Sequence, residues 1–161
     1  MVVLVMGVEG SGKTRVGQLL AQTLGWMFVD ADDFHSASNK EKMSCGVPLD
    51  DADRRPWLWA IHDFVLQQTG KGRNVVLACS ALKQGYREQL QQGMEMKIVY
   101  LKGSFDLFYS RLQKRQAHFA RETLLASQFA TLEEPTDAVT IDASLPEAEI
   151  AKQIKSTLPL L

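Results

Sequence analysis

The amino-acid sequence predicts an α/β protein of three layers, α/β/α, in which a five-stranded parallel sheet lies between two layers of helices. Five short apolar runs recur along the chain, and segments with helical spacing separate each run from the next. This alternation is typical of parallel sheets whose connecting helices cover both faces. Four helical segments also end within two residues of a glycine, which commonly terminates helices. At 161 residues the chain has the size of one domain, so we predict a single domain over residues 1–161.

The predicted elements alternate along the chain. The strands are predicted at Val2–Met6, Met27–Val29, Asn74–Ala78, Lys97–Leu101 and Ala138–Ile141. The helices are predicted at Lys13–Leu24, Ser38–Cys45, Asp53–Gln68, Leu82–Gln92, Phe105–Gln116, Glu122–Leu132 and Glu147–Thr157.

The composition narrows the class of protein. The chain is 45% hydrophobic and 23% charged, with a formal net charge of -1, so it offers no basic field for nucleic acid. No apolar run approaches the roughly 18 residues of a membrane span, and no basic leader precedes the first strand. The two cysteines, Cys45 and Cys79, lack metal-ligand spacing and are expected to be reduced. We therefore expect a cytoplasmic protein with neither a nucleic-acid nor a membrane partner.

The most specific motif follows the first strand. Gly7-Val8-Glu9-Gly10-Ser11-Gly12-Lys13-Thr14 fits the phosphate-loop pattern G-x-x-x-x-G-K-[ST] between a strand and a helix. Small residues let backbone N–H groups surround a phosphate, and the helix that follows directs its positive end at the anion. All eight residues are predicted to bind ATP, with Lys13 as a catalytic residue at the outer phosphates and Thr14 on Mg²⁺. The alternative is a glycine turn that only joins strand to helix. Because a carboxylate repels phosphate, Glu9 is expected to point outward.

Three carboxylates, Asp30, Asp32 and Asp33, follow the second predicted strand. The third and fourth strands end without an acid, although many nucleotide hydrolases use one there to organise magnesium. Ligands bind at the carboxyl ends of parallel strands, so these acids are expected beside the phosphate loop. Asp30 is predicted to hold magnesium, and Asp32 to accept the proton of a hydroxyl that attacks the γ-phosphate. The alternative is that the acids cap the next helix or lie in solvent.

Polar and cationic residues on the following segments predict a second part of the site. Arg54 lies at a helix start, where a positive charge opposes the dipole, so it is expected to meet either neighbouring acids or a substrate carboxylate. Ser80, Lys83 and Arg87 follow the third strand and are predicted to bind a polyhydroxylated acid. Lys83 and Arg87 stand four residues apart, so a solvated helix face is an equal alternative.

The segment from Arg111 to Arg121 carries four Lys or Arg residues before the first acid, Glu122. This pattern is typical of a lid that closes over phosphate charge, and we locate the lid at about residues 113–123. Arg115 is predicted to be a catalytic residue that neutralises charge on the transferred phosphoryl group. Arg111 is predicted to bind ATP by stacking on the adenine.

Six segments together resemble the gluconokinase family of small phosphate-loop kinases. The resemblance covers almost the whole chain and implies the phosphate-loop kinase fold of the nucleoside-monophosphate-kinase type, with a mobile lid. It also implies phosphorylation of D-gluconate at its 6-hydroxyl with ATP and Mg²⁺, usually by a homodimer. It implies that Asp32, Asp33 and Arg54 lie near gluconate. The six segments are GVEGSGKT, DADDFH, GVPLDDADRRPW, CSALKQGYR, YLKG and HFARETLLASQFATLEEP.

The sequence departs from the family pattern at three positions. Glu9 stands where a small residue is usual, and Ala117 and Ala120 stand where the family tends to have glycine and methionine. A shikimate-like or nucleotide acceptor on the same architecture is the nearest alternative, and the CSALK and YR segment favours gluconate. A nucleotide-dependent switch or binding module is the alternative from another class. The acids after the second strand and the basic lid argue against it.

Overall fold

The computed structural model of the protein describes residues 1–114 and 118–159, with the backbone alone for residues 118–121. The strands are β1 Val2–Met6, β2 Met27–Asp30, β3 Val75–Ala78, β4 Met96–Lys102 and β5 Val139–Asp142. The helices are α1 Lys13–Leu24, α2 Ala37–Ser44, α3 Asp51–Gly70, α4 Gln84–Gln91, α5 Phe105–Gln113, α6 His118–Thr131 and α7 Glu147–Thr157. A short 3₁₀ turn, Ala31–Phe34, follows β2 directly.

The five strands form one parallel sheet in the order β2-β3-β1-β4-β5, which confirms the predicted α/β architecture. Val2 on β1 lies opposite Val75 on β3 and Met96 on β4, and Asp30 at the end of β2 lies opposite Ala78 at the end of β3. The loops after β1, β2 and β3 therefore leave the same edge of the sheet. This edge holds the phosphate-loop sequence and the acids.

The core consists of two apolar layers, one on each face of the sheet. All five β1 side chains are buried with 0% exposure, and they alternate between the faces as the strand pleat requires. Helices on both faces explain why β1 reads as a continuous apolar run. One layer joins Val3 and Val5 to Val16, Leu20, Ile150 and Ile154 on α1 and α7. The other joins Val2, Leu4 and Met6 to Leu58, Ile61, Val65 and Leu90 on α3 and α4.

Helix α3 begins at Asp51, two residues before the predicted start. The Asp50 carboxylate accepts a hydrogen bond from the Asp53 backbone N–H at 2.7 Å, and the Asp53 carboxylate accepts one from the Asp50 N–H at 3.1 Å. This reciprocal capping satisfies backbone donors that the helix leaves unpaired. As a result Asp51 and Arg54 share the first turn and both reach toward the start of α4.

The predicted lid lies partly outside the described residues. Helix α5 ends at Gln113, and α6 begins at His118, four residues before the predicted start at Glu122. Residues 115–117, which include the predicted catalytic Arg115, lie outside the described part of the chain. Among the described residues, no helix is both long and apolar enough to cross a membrane.

Candidate functional site

The glycine-rich loop between β1 and α1 takes a conformation that needs its glycines. Gly12 precedes α1 with φ 95° and Gly10 has φ 87°, values that side-chain-bearing residues rarely adopt. A Cβ added to Gly7 would lie 2.7 Å from Ser11 Oγ, so the loop closes tightly on itself. The Ser11 N–H donates to the Val8 carbonyl at 3.2 Å, which fixes the curl of the loop.

Lys13 opens α1 and folds back over the loop. Its Nζ donates a hydrogen bond to the Val8 carbonyl at 3.2 Å. Withdrawal from solvent lowers the pKa of Lys13, and the carboxylates of Asp32, Glu9 and Asp30 act in the opposite direction. The lysine therefore lies between the loop and the acids, where a phosphate chain would receive its charge.

The acids that follow β2 meet the phosphate loop directly. Thr14 Oγ1 donates to Asp30 Oδ2 at 3.2 Å, and Asp30 Oδ1 accepts the Asp32 backbone N–H at 2.9 Å. The second bond caps the 3₁₀ turn that begins at Ala31. Asp30 therefore caps the next turn, as the alternative interpretation of the acids predicts, and it also contacts Thr14.

The side chain of Asp32 lines the same cleft and keeps 80% of its surface accessible. Desolvation by the walls of the cleft nevertheless raises the pKa of Asp32, while Lys13 opposes this and Asp30 and Asp33 reinforce it. A carboxylate with a raised pKa is a better proton acceptor than an ordinary aspartate. Asp33 is exposed and lies outside the described lining of the cleft.

The cleft has a volume of about 910 Å³, which is within the range of nucleotide and cofactor pockets. The cleft is lined by the phosphate loop, by Asp30 and Asp32, and by the segment that joins β5 to α7. Arg111 bridges the phosphate loop and this segment, because its guanidinium donates to the Gly10 carbonyl at 3.0 Å and to the Ala143 carbonyl at 2.6 Å. The predicted ATP residue Arg111 thus lies in the cleft, but as a tie between loops.

Glu9 and Gln128 connect the phosphate loop to helix α6. The Glu9 backbone N–H donates to Gln128 Oε1 at 2.6 Å. Glu9 also lines the cleft, and its carboxylate raises the pKa of Lys13. Gln128 was not among the predicted site residues, and its only signal in the sequence is its place in the LLASQFATLEEP segment.

His35 lies between the acid cluster and the aromatic ring of Trp57. Its ring stacks on Trp57 with centroids 4.2 Å apart, and its Nε2 lies 3.9 Å from Asp32 Oδ1. The Trp57 indole N–H donates to the Ala31 carbonyl at 2.7 Å, which anchors the 3₁₀ turn to α3. Burial, and then the nearby charges of Arg54 and Lys40, lower the pKa of His35 to about 4. The imidazole is therefore neutral at physiological pH.

Four side chains at the start of α3 and around α4 form the Tyr86 cluster, which consists of Asp51, Arg54, Lys83 and Tyr86. Arg54 donates to the Tyr86 phenolic oxygen at 3.1 Å, and the Tyr86 hydroxyl donates to Asp51. Lys83 Nζ pairs with Asp51 Oδ1 at 3.1 Å. Asp51, Lys83 and Tyr86 also line a smaller cavity of about 250 Å³. Arg54 and Lys83, both predicted to bind substrate, are thus neighbours around Tyr86, which was not among the predicted site residues.

Arg87 is inside the protein, which differs from both interpretations of this residue. It is 1% exposed, so it is neither on a solvated helix face nor free to bind substrate. Its guanidinium donates to the carbonyls of Ala81 at 2.7 Å, Leu82 at 3.2 Å and Glu133 at 2.9 Å. Ala81 has φ 46°, an unfavourable value for a residue with a Cβ, and the bond from Arg87 helps to hold it. The prediction that Arg87 binds substrate is corrected to a structural role.

The remaining predicted residues are placed less tightly. Ser80 is half-buried just beyond β3, and Cys79 beside it is buried, which raises the pKa of the Cys79 thiol to about 12.

The candidate site for a metal ion is small. The described residues contain no group of three or more His, Cys, Asp or Glu able to hold a metal ion. Thr14 and Asp30 offer two oxygens, which suits Mg²⁺, because this ion usually takes only one or two protein ligands beside phosphates and water.

Known proteins share this fold and sequence over most of their length. The sequence model of the shikimate kinase family matches residues 9–159. A probable gluconokinase of Mus musculus is 48% identical over 93% of this chain and 94% of its own. The gluconokinase of Gluconobacter oxydans is 49% identical over 83% of this chain and 76% of its own. The crystal structure of a gluconokinase from Sinorhizobium meliloti matches with a TM-score of 0.83 at 39% identity, covering 94% of this chain and 87% of that one. The similarity therefore extends far beyond the phosphate loop.

Proposed function

The chain belongs to the gluconokinase family of phosphate-loop kinases, and from this premise we propose that it transfers the γ-phosphoryl group of ATP to the 6-hydroxyl of D-gluconate. The observation that carries this proposal is the contact between Thr14 and Asp30, at 3.2 Å. It joins the anion-binding loop to the acid cluster. Phosphate donor and hydroxyl acceptor can therefore meet in one cleft.

The phosphate loop binds the triphosphate of ATP in this proposal. Its backbone N–H groups and the N-terminus of α1 supply positive dipoles, and Lys13 supplies a full charge. In the structure Lys13 Nζ is bonded to the Val8 carbonyl, a neutral acceptor that it can exchange for a phosphate oxygen. Arg111 connects the phosphate loop to the segment after β5, because it donates to the Gly10 and Ala143 carbonyls.

Thr14 and Asp30 would hold Mg²⁺. The ion, when bound, offsets the negative charge of the phosphates. A hydroxyl and a carboxylate that already face each other provide hard oxygen donors for it. Asp30 is also fixed by the Asp32 backbone N–H, so its orientation is set before any ligand arrives.

Asp32 is the general base in this proposal. Its carboxylate takes the proton of the gluconate 6-hydroxyl while that oxygen bonds to the γ-phosphorus. The bond from the γ-phosphorus to the bridging oxygen then breaks, and ADP leaves with that oxygen. The raised pKa of Asp32 and its accessible side chain support this role.

Acceptor binding is assigned to the side of the cleft toward the Tyr86 cluster. We assign the gluconate carboxylate to Arg54, and the hydroxyl groups to Asp33, Ser80 and Lys83. Arg54 is close enough to His35 to lower the pKa of that imidazole, and His35 is in turn next to Asp32. His35 therefore lies between the charge of Arg54 and the proposed base.

The segment from about residue 113 to 123 is proposed to close over the phosphates and to deliver Arg115, which is outside the described residues.

We also propose a homodimer. The exposed large apolar residues include Trp59 and Leu66, each 39% exposed on the same helix, α3. Sedimentation at micromolar concentration tests this assembly. A cytoplasmic location is proposed because the reaction draws on the ATP of the cell.

A coupled assay of ADP release tests the proposed function. We expect ADP release to require D-gluconate, with shikimate, AMP and D-glucose as matched alternative acceptors that give little or none. The product should carry phosphate on the 6-oxygen, which ³¹P NMR identifies. ADP release that is the same with and without gluconate would contradict the kinase assignment.

A further inference from the structure

The Tyr86 cluster holds its two cations in different ways. Lys83 is neutralised, because it pairs with the Asp51 carboxylate at 3.1 Å. Arg54 instead donates to the phenolic oxygen of Tyr86 at 3.1 Å, which is a neutral acceptor. None of the ion pairs within the described residues includes Arg54. The guanidinium is therefore held by a neutral oxygen and not by a carboxylate.

The direction of each hydrogen bond follows from the donors. Arg54 can only donate, so the Tyr86 oxygen must accept from it. The phenolic hydrogen is then free for Asp51, which accepts it. Burial, and then the bond to Asp51, raise the pKa of Tyr86, so the phenol keeps its proton at neutral pH. Tyr86 thus stands between a cation and a carboxylate and satisfies both.

We propose that Tyr86 is a positioning residue that gives the enzyme its selectivity for an anionic acceptor, by keeping Arg54 apart from Asp51. This inference rests on the proposed function, because it takes the gluconate carboxylate as the ligand of Arg54. A bidentate ion pair between Arg54 and Asp51 would satisfy the guanidinium internally. The phenol accepts a hydrogen bond from Arg54 and donates one to Asp51 in place of that pairing. The guanidinium carbon of Arg54 also lies 5.4 Å from the centre of the Tyr86 ring.

The substitution Tyr86→Phe separates these effects, because it keeps the ring and removes only the hydroxyl. We expect the KM for gluconate to rise about tenfold, since Arg54 turns to Asp51 when the phenol no longer separates them. The kcat and the KM for ATP should stay within about twofold, because the phosphate loop and Asp32 are untouched. Adding Asp51→Asn to Tyr86→Phe removes the competing carboxylate and should lower the KM again.

A double-mutant cycle with Arg54→Gln shows whether Tyr86 acts through Arg54. Calorimetry gives the Kd of gluconate for each variant, so the cycle does not depend on turnover. We expect Tyr86→Phe to weaken binding in the wild-type background and to have no further effect once Arg54 is replaced. Tyr109→Phe is the matched control, because Tyr109 stacks on Phe105 in α5, away from the Tyr86 cluster.

Three results would overturn the inference. They are an unchanged gluconate KM in Tyr86→Phe, an equal loss in the Arg54→Gln background, or an equal loss in Tyr109→Phe. In each of these cases the proposed function still holds, provided that the wild-type enzyme phosphorylates gluconate. A wild-type protein that does not phosphorylate gluconate overturns the proposed function and this inference together.

Discussion

Acidification should destabilise the protein through His35, and the structure gives the size of the effect. The imidazole is 8% exposed, stacked on Trp57, and faces the positive charges of Arg54 and Lys40. Its pKa falls from 6.5 in the unfolded chain to about 4 in the fold. Between these pH values the unfolded state binds a proton that the folded state does not bind, so the free energy of unfolding falls as pH falls. The loss begins near pH 6.5, is about 2 kcal/mol at about pH 5, and reaches about 3 kcal/mol below pH 4.

Urea unfolding followed by circular dichroism at about pH 7 and about pH 5 measures this term. The wild-type protein and the variant His35→Gln share every other titrating group, so the difference between their pH slopes isolates the imidazole. We expect the variant to lose about 2 kcal/mol less than the wild type between the two pH values. Equal slopes in the two proteins would refute the claim that His35 is held neutral by burial and by the two cations.

Three further substitutions test the assignments of single residues. Lys13→Met should lower kcat about 100-fold or more in the ADP-release assay, because the phosphates lose their fixed charge, and retained turnover would contradict the role of the loop. Asp32→Asn should lower kcat by about 10² to 10⁴ while calorimetry still detects ATP binding; normal turnover would remove Asp32 as the base. Arg87→Met should lower the free energy of unfolding by about 3 kcal/mol, because three backbone carbonyls lose their donor, without raising the gluconate KM. A raised KM with unchanged stability would restore its predicted substrate role.

Local patterns in the sequence were enough to predict the sheet and the phosphate loop. The strand, the glycine turn and the helix of the loop are contiguous between Val2 and Leu24, so spacing alone carries the prediction. The neighbourhood of Asp30 and Thr14 also followed, because loops at the carboxyl ends of parallel strands share one edge. The resemblance to the gluconokinase family was not needed to predict the phosphate loop or the contact between Asp30 and Thr14.

Contacts between distant segments could not be predicted in the same way. Spacing gave Lys83 and Arg87 one shared helix face, yet Arg87 is buried against the carbonyl of Glu133, 46 positions away. The hydrogen bond from the Glu9 N–H to Gln128 spans 119 positions, and nothing in the loop sequence indicates which residue accepts it. Tyr86 gave no signal of its own, because an aromatic residue on an amphipathic helix most often belongs to the core.

The bond between Arg87 and the Glu133 carbonyl has a mechanical consequence for α6. That bond, together with the bonds of the Glu133 N–H to Leu82 and of the Glu133 carboxylate to the Gln84 N–H, clamps the chain just past the end of the helix. The opposite end of α6, at His118, lies within the predicted lid. A 14-residue helix is about 21 Å long, so a rotation of about 10° around the clamp would move the opposite end by about 4 Å. Arg87 would then fix the point around which α6 rotates.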